Sequence, residues 1–119
     1  MGFVRVKGWV GRSREETVEI EFLIDTGSFY TVIPPAIAEN LGIRAVIETE
    51  LILANKGKVK AGVTMAYMKL LDRDGALPVA IMEVPEPLLG VTALEGLGLR
   101  VDPVTGKLEY SRPYGLAAI

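Results

Sequence analysis

The sequence predicts a mostly β domain. Half of the 119 residues are hydrophobic and only 7% are aromatic, while 13 glycines and 7 prolines divide the chain into short segments. Several of these segments alternate apolar and polar residues with the period of two that is typical of strands. Many short strands joined by tight turns suit this composition better than a helical bundle. The length fits one domain over residues 1–119, without repeat or linker.

The first two strands form a predicted hairpin. Residues 3–10 and 17–24 alternate in hydrophobicity and flank a polar turn at 11–16. The alternation ends at Phe22-Leu23-Ile24, as it does where a strand enters a core that covers both of its faces. Asp25 is therefore expected at the end of a buried strand.

The later elements follow from the same patterns. A short helix is predicted over 34–41, between two prolines at its start and Gly42 after its end. One or two helical turns are predicted over 92–97, after the stiff connector Pro85-Glu86-Pro87. Further strands are predicted over 46–53, 59–71, 77–84, 99–101 and 107–110. Polar turns are predicted over 54–58, 72–75 and 102–106.

Charge and hydropathy argue against several partners. Lys and Arg number 13 against 15 Asp and Glu, so the net charge of -2 offers no broad positive surface to nucleic acid or an anionic membrane. No apolar stretch approaches the roughly 20 residues of a membrane span, and residues 1–14 lack the apolar segment of a signal peptide. We expect a cytoplasmic protein that binds neither nucleic acid nor membrane.

The absence of cysteine and histidine removes much catalytic chemistry. Without these residues the chain has no disulfide, no thiolate nucleophile, no Ser-His-Asp triad and no ordinary zinc site. Acid-base catalysis would have to come from carboxylates, lysine or tyrosine. Asp72 and Asp74 have a spacing that suggests calcium, but no further acidic ligands follow, so solvated turn residues are favoured. We expect neither a metal nor a cofactor.

Asp25 is the best candidate for a catalytic group. It follows three apolar residues and precedes Thr26, Gly27 and Ser28. The buried strand would partly desolvate the carboxylate, Gly27 would permit a sharp turn, and the two hydroxyls could fix the loop by hydrogen bonds. The alternative is that Asp25 only shapes or caps a turn.

One carboxylate cannot serve as base and acid in the same hydrolytic step. A symmetric dimer would bring two copies of Asp25 together, and two carboxylates about 3 Å apart share one proton because they cannot both ionise. One carboxylate then activates water and the other protonates the leaving group.

With Phe22-Leu23-Ile24-Asp25-Thr26-Gly27-Ser28 followed later by Leu88-Leu89-Gly90, the chain resembles the retropepsin-like aspartic proteases. The resemblance extends over about residues 3–110 in layout. It implies a small closed β-barrel with one or two short helices, and a homodimer that encloses an extended peptide or protein substrate. The implied activity is that of an aspartic endopeptidase.

The resemblance also implies roles for individual residues. Asp25 would be the catalytic acid or base, Thr26 would brace the paired loops across the dimer axis, and Gly27 would contact the substrate backbone. Ser28 would donate a hydrogen bond to Asp25. The remaining implied residues are Leu88, Leu89 and Gly90 packed beneath the active-site loop, and Asn55, Lys56, Gly57 and Lys58 at the tip of a substrate-covering flap.

The chain departs from the family pattern in three places, the first of which is Phe29-Tyr30, a bulkier pair than many viral members have after the motif. After Gly90 it reads Val91-Thr92-Ala93, where many relatives have an acidic or arginine-containing turn that braces the catalytic loop. The expected flap tip has Lys56 and Lys58, where viral members have glycine and apolar residues. The apolar tail at 116–119 is a candidate dimer strand.

Two other functions fit the sequence. One is a retropepsin-like dimer with little or no proteolytic activity that binds peptides or supports assembly, since folds are retained when chemistry is lost. The other is a monomeric β-barrel binding domain in which Asp25 merely shapes a turn. Asp102, which also lies near a threonine and a glycine, is interpreted as part of a hairpin turn.

Overall fold

The computed structural model describes residues 3–113, and the expected dimer strand at 116–119 lies outside them. The described chain is mostly β, which confirms the predicted fold class. It contains nine strands and two short helices: β1 (Arg5–Ser13), β2 (Glu16–Ile24), β3 (Thr31–Ile33), α1 (Pro35–Leu41), β4 (Ile47–Ile52), β5 (Lys58–Leu70), β6 (Arg73–Ile81), β7 (Leu88–Leu89), α2 (Val91–Gly96), β8 (Leu99–Val101) and β9 (Leu108–Tyr110).

Strands β1 and β2 form the predicted hairpin, with a shorter turn than expected. Their antiparallel register runs from Arg5 opposite Leu23 to Ser13 opposite Glu16. β1 continues beyond the predicted strand end because Gly11 packs directly on the partner strand, where a Cβ atom would lie 1.8 Å from the carbonyl oxygen of Glu16. The polar residues that suggested a turn therefore occupy the exposed end of a strand.

Six strands close into a ring. The sheet order is β1-β2-β7-β3-β6-β5-β4, and β1 also pairs with β5. This second pairing, which places Trp9 opposite Lys69 and Gly11 opposite Tyr67, closes the sheet on itself. The ring agrees with the small closed barrel that the resemblance implied, and β4 is added at its outer edge beside β5.

The short strands β3 and β7 occupy the part of the ring next to Asp25. β7 runs parallel to the end of β2, with Leu23 opposite Leu88 and Ile24 opposite Leu89. β3 pairs antiparallel with β7 and parallel with β6. The sequence analysis missed β3, because its three residues are all buried and give no alternating pattern.

The predicted turn at 72–75 is wrong. The chain reverses at residues 71–72, where Leu71 has a φ of 56°, and β6 begins at Arg73. The polar residues at 73–74 were read as solvated, but Arg73 is buried and its Nη1 donates hydrogen bonds to the carbonyl oxygens of Leu97 and Gly98 at 3.0 and 2.8 Å. A tertiary contact thus stabilises strand structure where local composition favoured a turn.

Both helices pack against the hydrophobic core that the strands form. α1 ends as predicted at Gly42, whose φ of 68° is the left-handed conformation that glycine adopts without strain. Ala38 of α1 and Ala93 and Leu94 of α2 are buried with the strand residues. The largest fully buried apolar side chains are Phe22, Ile33, Met68, Leu70, Leu89, Leu97, Val10 and Val79. No helix within residues 3–113 has the length and apolar character to cross a bilayer.

Candidate active site

Asp25 immediately follows β2 and is held by backbone hydrogen bonds. Its N–H donates to the carbonyl oxygen of Leu89 at 2.9 Å, and its own carbonyl accepts from the N–H of Ser28 at 3.0 Å. The carboxylate oxygen Oδ1 accepts a hydrogen bond from the N–H of Gly27 at 3.1 Å. The side chain is half-buried, so the carboxylate is fixed in position and still accessible.

Thr26 and Gly27 form the exposed part of the loop. The Thr26 side chain makes no hydrogen bond to another residue of the described chain, and a Cβ atom at Gly27 would lie 3.4 Å from Oδ1 of Asp25, an ordinary contact distance. Their exposure leaves both residues available to a second subunit or a substrate. The roles expected for them remain predictions.

Ser28 differs from the expectation. Its hydroxyl donates to the carbonyl oxygen of Tyr30 at 2.7 Å rather than to the carboxylate of Asp25. A hydroxyl has one proton to donate. The loop curls so that the Tyr30 carbonyl accepts the hydrogen bond from Ser28, and the carboxylate of Asp25 accepts one from the N–H of Gly27. Ser28 therefore stabilises the far side of the loop.

The Leu88-Leu89-Gly90 segment lies directly against the Asp25 loop. Gly90 is buried, and its N–H donates to Oγ1 of Thr31 at 3.1 Å. A Cβ atom at this position would lie 2.2 Å from the carbonyl oxygen of Tyr30, a distance that only glycine avoids. The close approach explains why the second motif ends in glycine.

Thr92 supports the loop from the start of α2, a contact that the sequence analysis missed. Its Oγ1 donates to the carbonyl oxygen of Phe29 at 2.6 Å, and the N–H of Val91 donates to the carbonyl oxygen of Ser28 at 2.8 Å. These bonds occur where many relatives have a charged bracing turn. The available signal was a threonine two residues after Gly90 in the first turn of a predicted helix.

The β4–β5 hairpin lies where the substrate-covering flap was predicted, and its turn, at 53–57, begins and ends one residue earlier than predicted. The turn is closed by a hydrogen bond from the N–H of Leu53 to the carbonyl oxygen of Gly57 at 2.7 Å, and Lys56 has a φ of 67°. The N–H of Gly57 donates to Oδ1 of Asn55 at 2.8 Å. Lys58 is not at the tip: it begins β5, opposite Ile52.

A cavity of about 480 Å³ lies between the Asp25 loop and residues 51–54, where β4 ends and the turn of this hairpin begins. Asp25 is the one charged residue in the lining that the described chain provides. The hairpin contributes residues 51–54 to the lining, whereas residues 55–58, which were predicted to form the flap tip, do not line the cavity. The lining residues are Asp25, Gly27, Ser28, Phe29, Tyr30, Val32, Leu51, Ile52, Leu53, Ala54, Met82, Val84 and Leu88.

Comparison with known protein families identifies this arrangement. The aspartyl protease family profile matches residues 4–106. The chain belongs to the aspartyl protease family. A search of curated proteins finds no match.

Two solved structures show that this aspartyl protease chain has the retropepsin-like fold. The EIAV protease complexed with the inhibitor HBY-793 superposes with a TM-score of 0.68 at 19% sequence identity, covering 85% of this chain and 93% of the viral one. The retroviral protease-like domain of Ddi1 from Leishmania major gives a TM-score of 0.65 at 15% identity, covering 95% of this chain and 91% of that domain.

The geometry sets what one copy of this aspartyl protease chain can do. Asp102 lies in the β8–β9 turn, where its carboxylate accepts a hydrogen bond from the N–H of Val104 at 2.9 Å, and it does not line the cavity. The cavity side chains of one copy thus include a single carboxylate, that of Asp25. It can act as a base or as an acid, but hydrolysis requires both.

Proposed function

We propose that the chain is an aspartic endopeptidase that acts as a homodimer, with one Asp25 from each subunit. The proposal rests on the position of Asp25, which is the single carboxylate in an otherwise uncharged cavity and lies beside the exposed residues Thr26 and Gly27. A second copy that meets these exposed residues would supply the second carboxylate. Membership of the aspartyl protease family supports the same chemistry.

In the proposed reaction the two Asp25 carboxylates hold one proton between them. The ionised carboxylate removes a proton from water, the water attacks the peptide carbonyl, and the protonated carboxylate donates its proton to the leaving nitrogen. The peptide would lie extended between the Asp25 loops and the flaps. β4 pairs only with β5 among the described strands, so its other edge is available for backbone hydrogen bonds to such a peptide.

The test is cleavage of a mixed peptide library between about pH 3 and 7, the range in which a coupled aspartate pair holds one proton. We expect wild-type protein to cleave, Asp25→Asn to be inactive, and Asp102→Asn to retain activity as the matched control. Loss of activity in both variants would indicate a general effect of removing an acidic group and would contradict the assignment of Asp25.

A mixing experiment tests whether two copies share one site. When wild type and Asp25→Asn exchange subunits at equal concentration, about one quarter of the dimers carry two Asp25 residues, as random pairing under twofold symmetry requires. The activity of the mixture should therefore be about one quarter of the activity of wild-type protein at the same total concentration. A remaining activity of about one half would mean that each chain acts alone.

The peptide-binding alternative is distinguished by the same samples. A wild-type dimer, verified by its solution mass, that binds library peptides without cleaving them would favour a binding or assembly module. In that case Asp25→Asn should bind the same peptides with unchanged affinity. A monomer mass at every concentration would exclude the shared site.

A further inference from the structure

A second cavity, of about 400 Å³, lies on the outer surface of the ring of strands. Trp9 on β1 is opposite Lys69 on β5, and Lys69 is opposite Asp74 on β6, so these side chains form one row on the same face of the sheet. That face is the outer one, because the adjacent residues Val10 and Met68 are buried in the core. We call this cavity the Trp9 pocket; the row lines it together with Arg14, Thr17, Tyr67 and Asp72.

The Trp9 pocket is separate from the cavity that contains Asp25. The two cavities share no lining residue. Thr17 lies near the start of β2 and Asp25 directly follows its end, and the eight residues between these positions span roughly 26 Å at about 3.3 Å per residue. A small ligand in the Trp9 pocket would therefore not touch the proposed catalytic carboxylate.

Hydrogen bonds fix the polar walls of the pocket. The Tyr67 hydroxyl donates to Oδ2 of Asp74 at 2.7 Å, and Nε of Arg14 donates to the same oxygen at 2.8 Å. The carboxylate of Asp72 accepts a hydrogen bond from the hydroxyl of Tyr110. A ligand would meet side chains that are already ordered, so binding would not have to order them.

The donors in the pocket are less used than the acceptors. Within residues 3–113, the ammonium of Lys69 makes no hydrogen bond or ion pair, and the Thr17 hydroxyl makes no hydrogen bond. Arg14 has further N–H groups besides the one that bonds to Asp74. The basic and acidic side chains balance in charge, so an anion is not repelled by the pocket as a whole. It would gain charge-assisted hydrogen bonds from Lys69 and Arg14.

Trp9 adds an aromatic surface to these donors. It is the one tryptophan in the chain and is 42% exposed. An indole ring buries a large apolar area when it is covered, and its face packs well against other planar rings. Because Lys69 is directly opposite Trp9, a ligand that covers the ring can also place a charged group near the ammonium.

We propose that the Trp9 pocket binds a small ligand that combines an aromatic ring with an anionic group, either a carboxylate or a phosphate. Trp9 contacts the ring of the ligand, and Lys69 and Arg14 bind its anionic group. The proposal does not depend on the peptidase function, since the pocket lies outside the Asp25 cavity.

Trp9 fluorescence measures binding directly, since no other tryptophan contributes to the signal. The aromatic anions are phenyl phosphate and phenylacetate; benzyl alcohol supplies the ring alone, and inorganic phosphate and acetate supply the charge alone. We expect at least one aromatic anion to bind with a dissociation constant of about 1 mM or lower, and the partial probes to bind at least about tenfold more weakly. The tighter aromatic anion identifies the group. No saturation by either below about 10 mM, or equal binding of benzyl alcohol, would overturn the proposal.

Lys69→Met tests the contact with the anionic group, and Lys60→Met is the matched control. Lys60 is also an exposed lysine on β5 but does not line the pocket. Lys69→Met should weaken binding of the tighter aromatic anion about tenfold, because a charge-assisted hydrogen bond is lost, and should leave benzyl alcohol unchanged. Lys60→Met should bind like wild type. Equal affinities of the two variants would overturn the assignment of Lys69.

Calorimetry tests the ring contact, since replacing Trp9 removes the fluorescent signal. Trp9→Leu should weaken binding of the aromatic anion about tenfold, and Trp9→Phe, which keeps an aromatic ring, should retain part of the affinity. Unchanged affinity in Trp9→Leu would overturn the role of the ring. Asp25→Asn should bind the same probes as tightly as wild type, so the result stands apart from the question of cleavage.

Discussion

The hydrogen bond between Thr31 and Gly90 gives a direct test of how the two sequence motifs are joined. Thr31 is fully buried, and its Oγ1 accepts the N–H of Gly90 at 3.1 Å. Thr31→Val keeps the shape of the side chain but leaves that buried N–H without a partner, which costs about 1–3 kcal/mol. Valine avoids burying a hydroxyl, so we expect the lower part of this range, about 1–2 kcal/mol.

Urea unfolding measures this loss, at matched protein concentrations because association would change the apparent stability. Thr64→Val is the matched control: Thr64 is also buried, but its hydroxyl makes only a long bond of 3.4 Å to the adjacent carbonyl of Met65. We expect that variant to lose less than about 0.5 kcal/mol. Equal losses in the two variants, or no loss in Thr31→Val, would refute the reasoning.

Two further predictions concern charged side chains in strands. Arg73→Ala should lower the free energy of unfolding by about 1–3 kcal/mol, because two carbonyls lose a buried donor. The control is Arg100→Ala, which removes an exposed ion pair and should lower the free energy of unfolding by less than about 1 kcal/mol. Equal losses in the two variants would contradict this prediction. Hydrogen bonds from the Tyr67 hydroxyl and from Arg14 hold the pKa of Asp74 below its usual value. Since the folded state binds this proton less readily than the unfolded state, the stabilisation is complete above the usual value of 3.8 and is lost as the pH falls through the lower folded-state pKa. Urea midpoints of Asp74→Asn should therefore depend less on pH below about 4 than those of wild type, and parallel curves would contradict the assignment.

The sequence predicted the features that depend on local pattern. The two hairpins, the helix that ends at Gly42 and the position of Asp25 at the end of a strand were all visible as alternation, turn residues or helix-end signals. Each of these depends on neighbours within a few positions along the chain. The strand before Asp25 is less buried than predicted, since only Phe22 of β2 is buried and Leu23 and Ile24 are half-buried. The closed ring of strands was predicted from the family resemblance alone. No local pattern predicts it, because the pairing of β1 with β5 joins residues about 60 positions apart.

The features that were missed depend on which backbone carbonyl a polar side chain reaches in the folded chain. β6 begins four residues before the strand predicted over 77–84, because Arg73 hydrogen-bonds to carbonyl oxygens at the end of α2. The Ser28 hydroxyl donates to the carbonyl oxygen of Tyr30 and not to Asp25. The hydrogen bond from Thr92 to the carbonyl oxygen of Phe29 could not be predicted without knowing that α2 packs against the Asp25 loop. In each case the polar side chain bonds to a backbone carbonyl, and sequence composition does not reveal which carbonyl is near.

The hydrogen bonds that fix the Asp25 loop lie within one chain, whereas the second carboxylate of the proposed site does not. The N–H groups of Asp25, Gly27, Ser28 and Gly90 all have acceptors within one chain, so the loop geometry does not require a second subunit. Under the proposed homodimer, the second copy then contributes a carboxylate and a cavity wall rather than the folding of the loop. It follows that dilution should abolish activity by separating the two Asp25 residues, while each separated chain keeps a preformed half-site that becomes active again on reassociation.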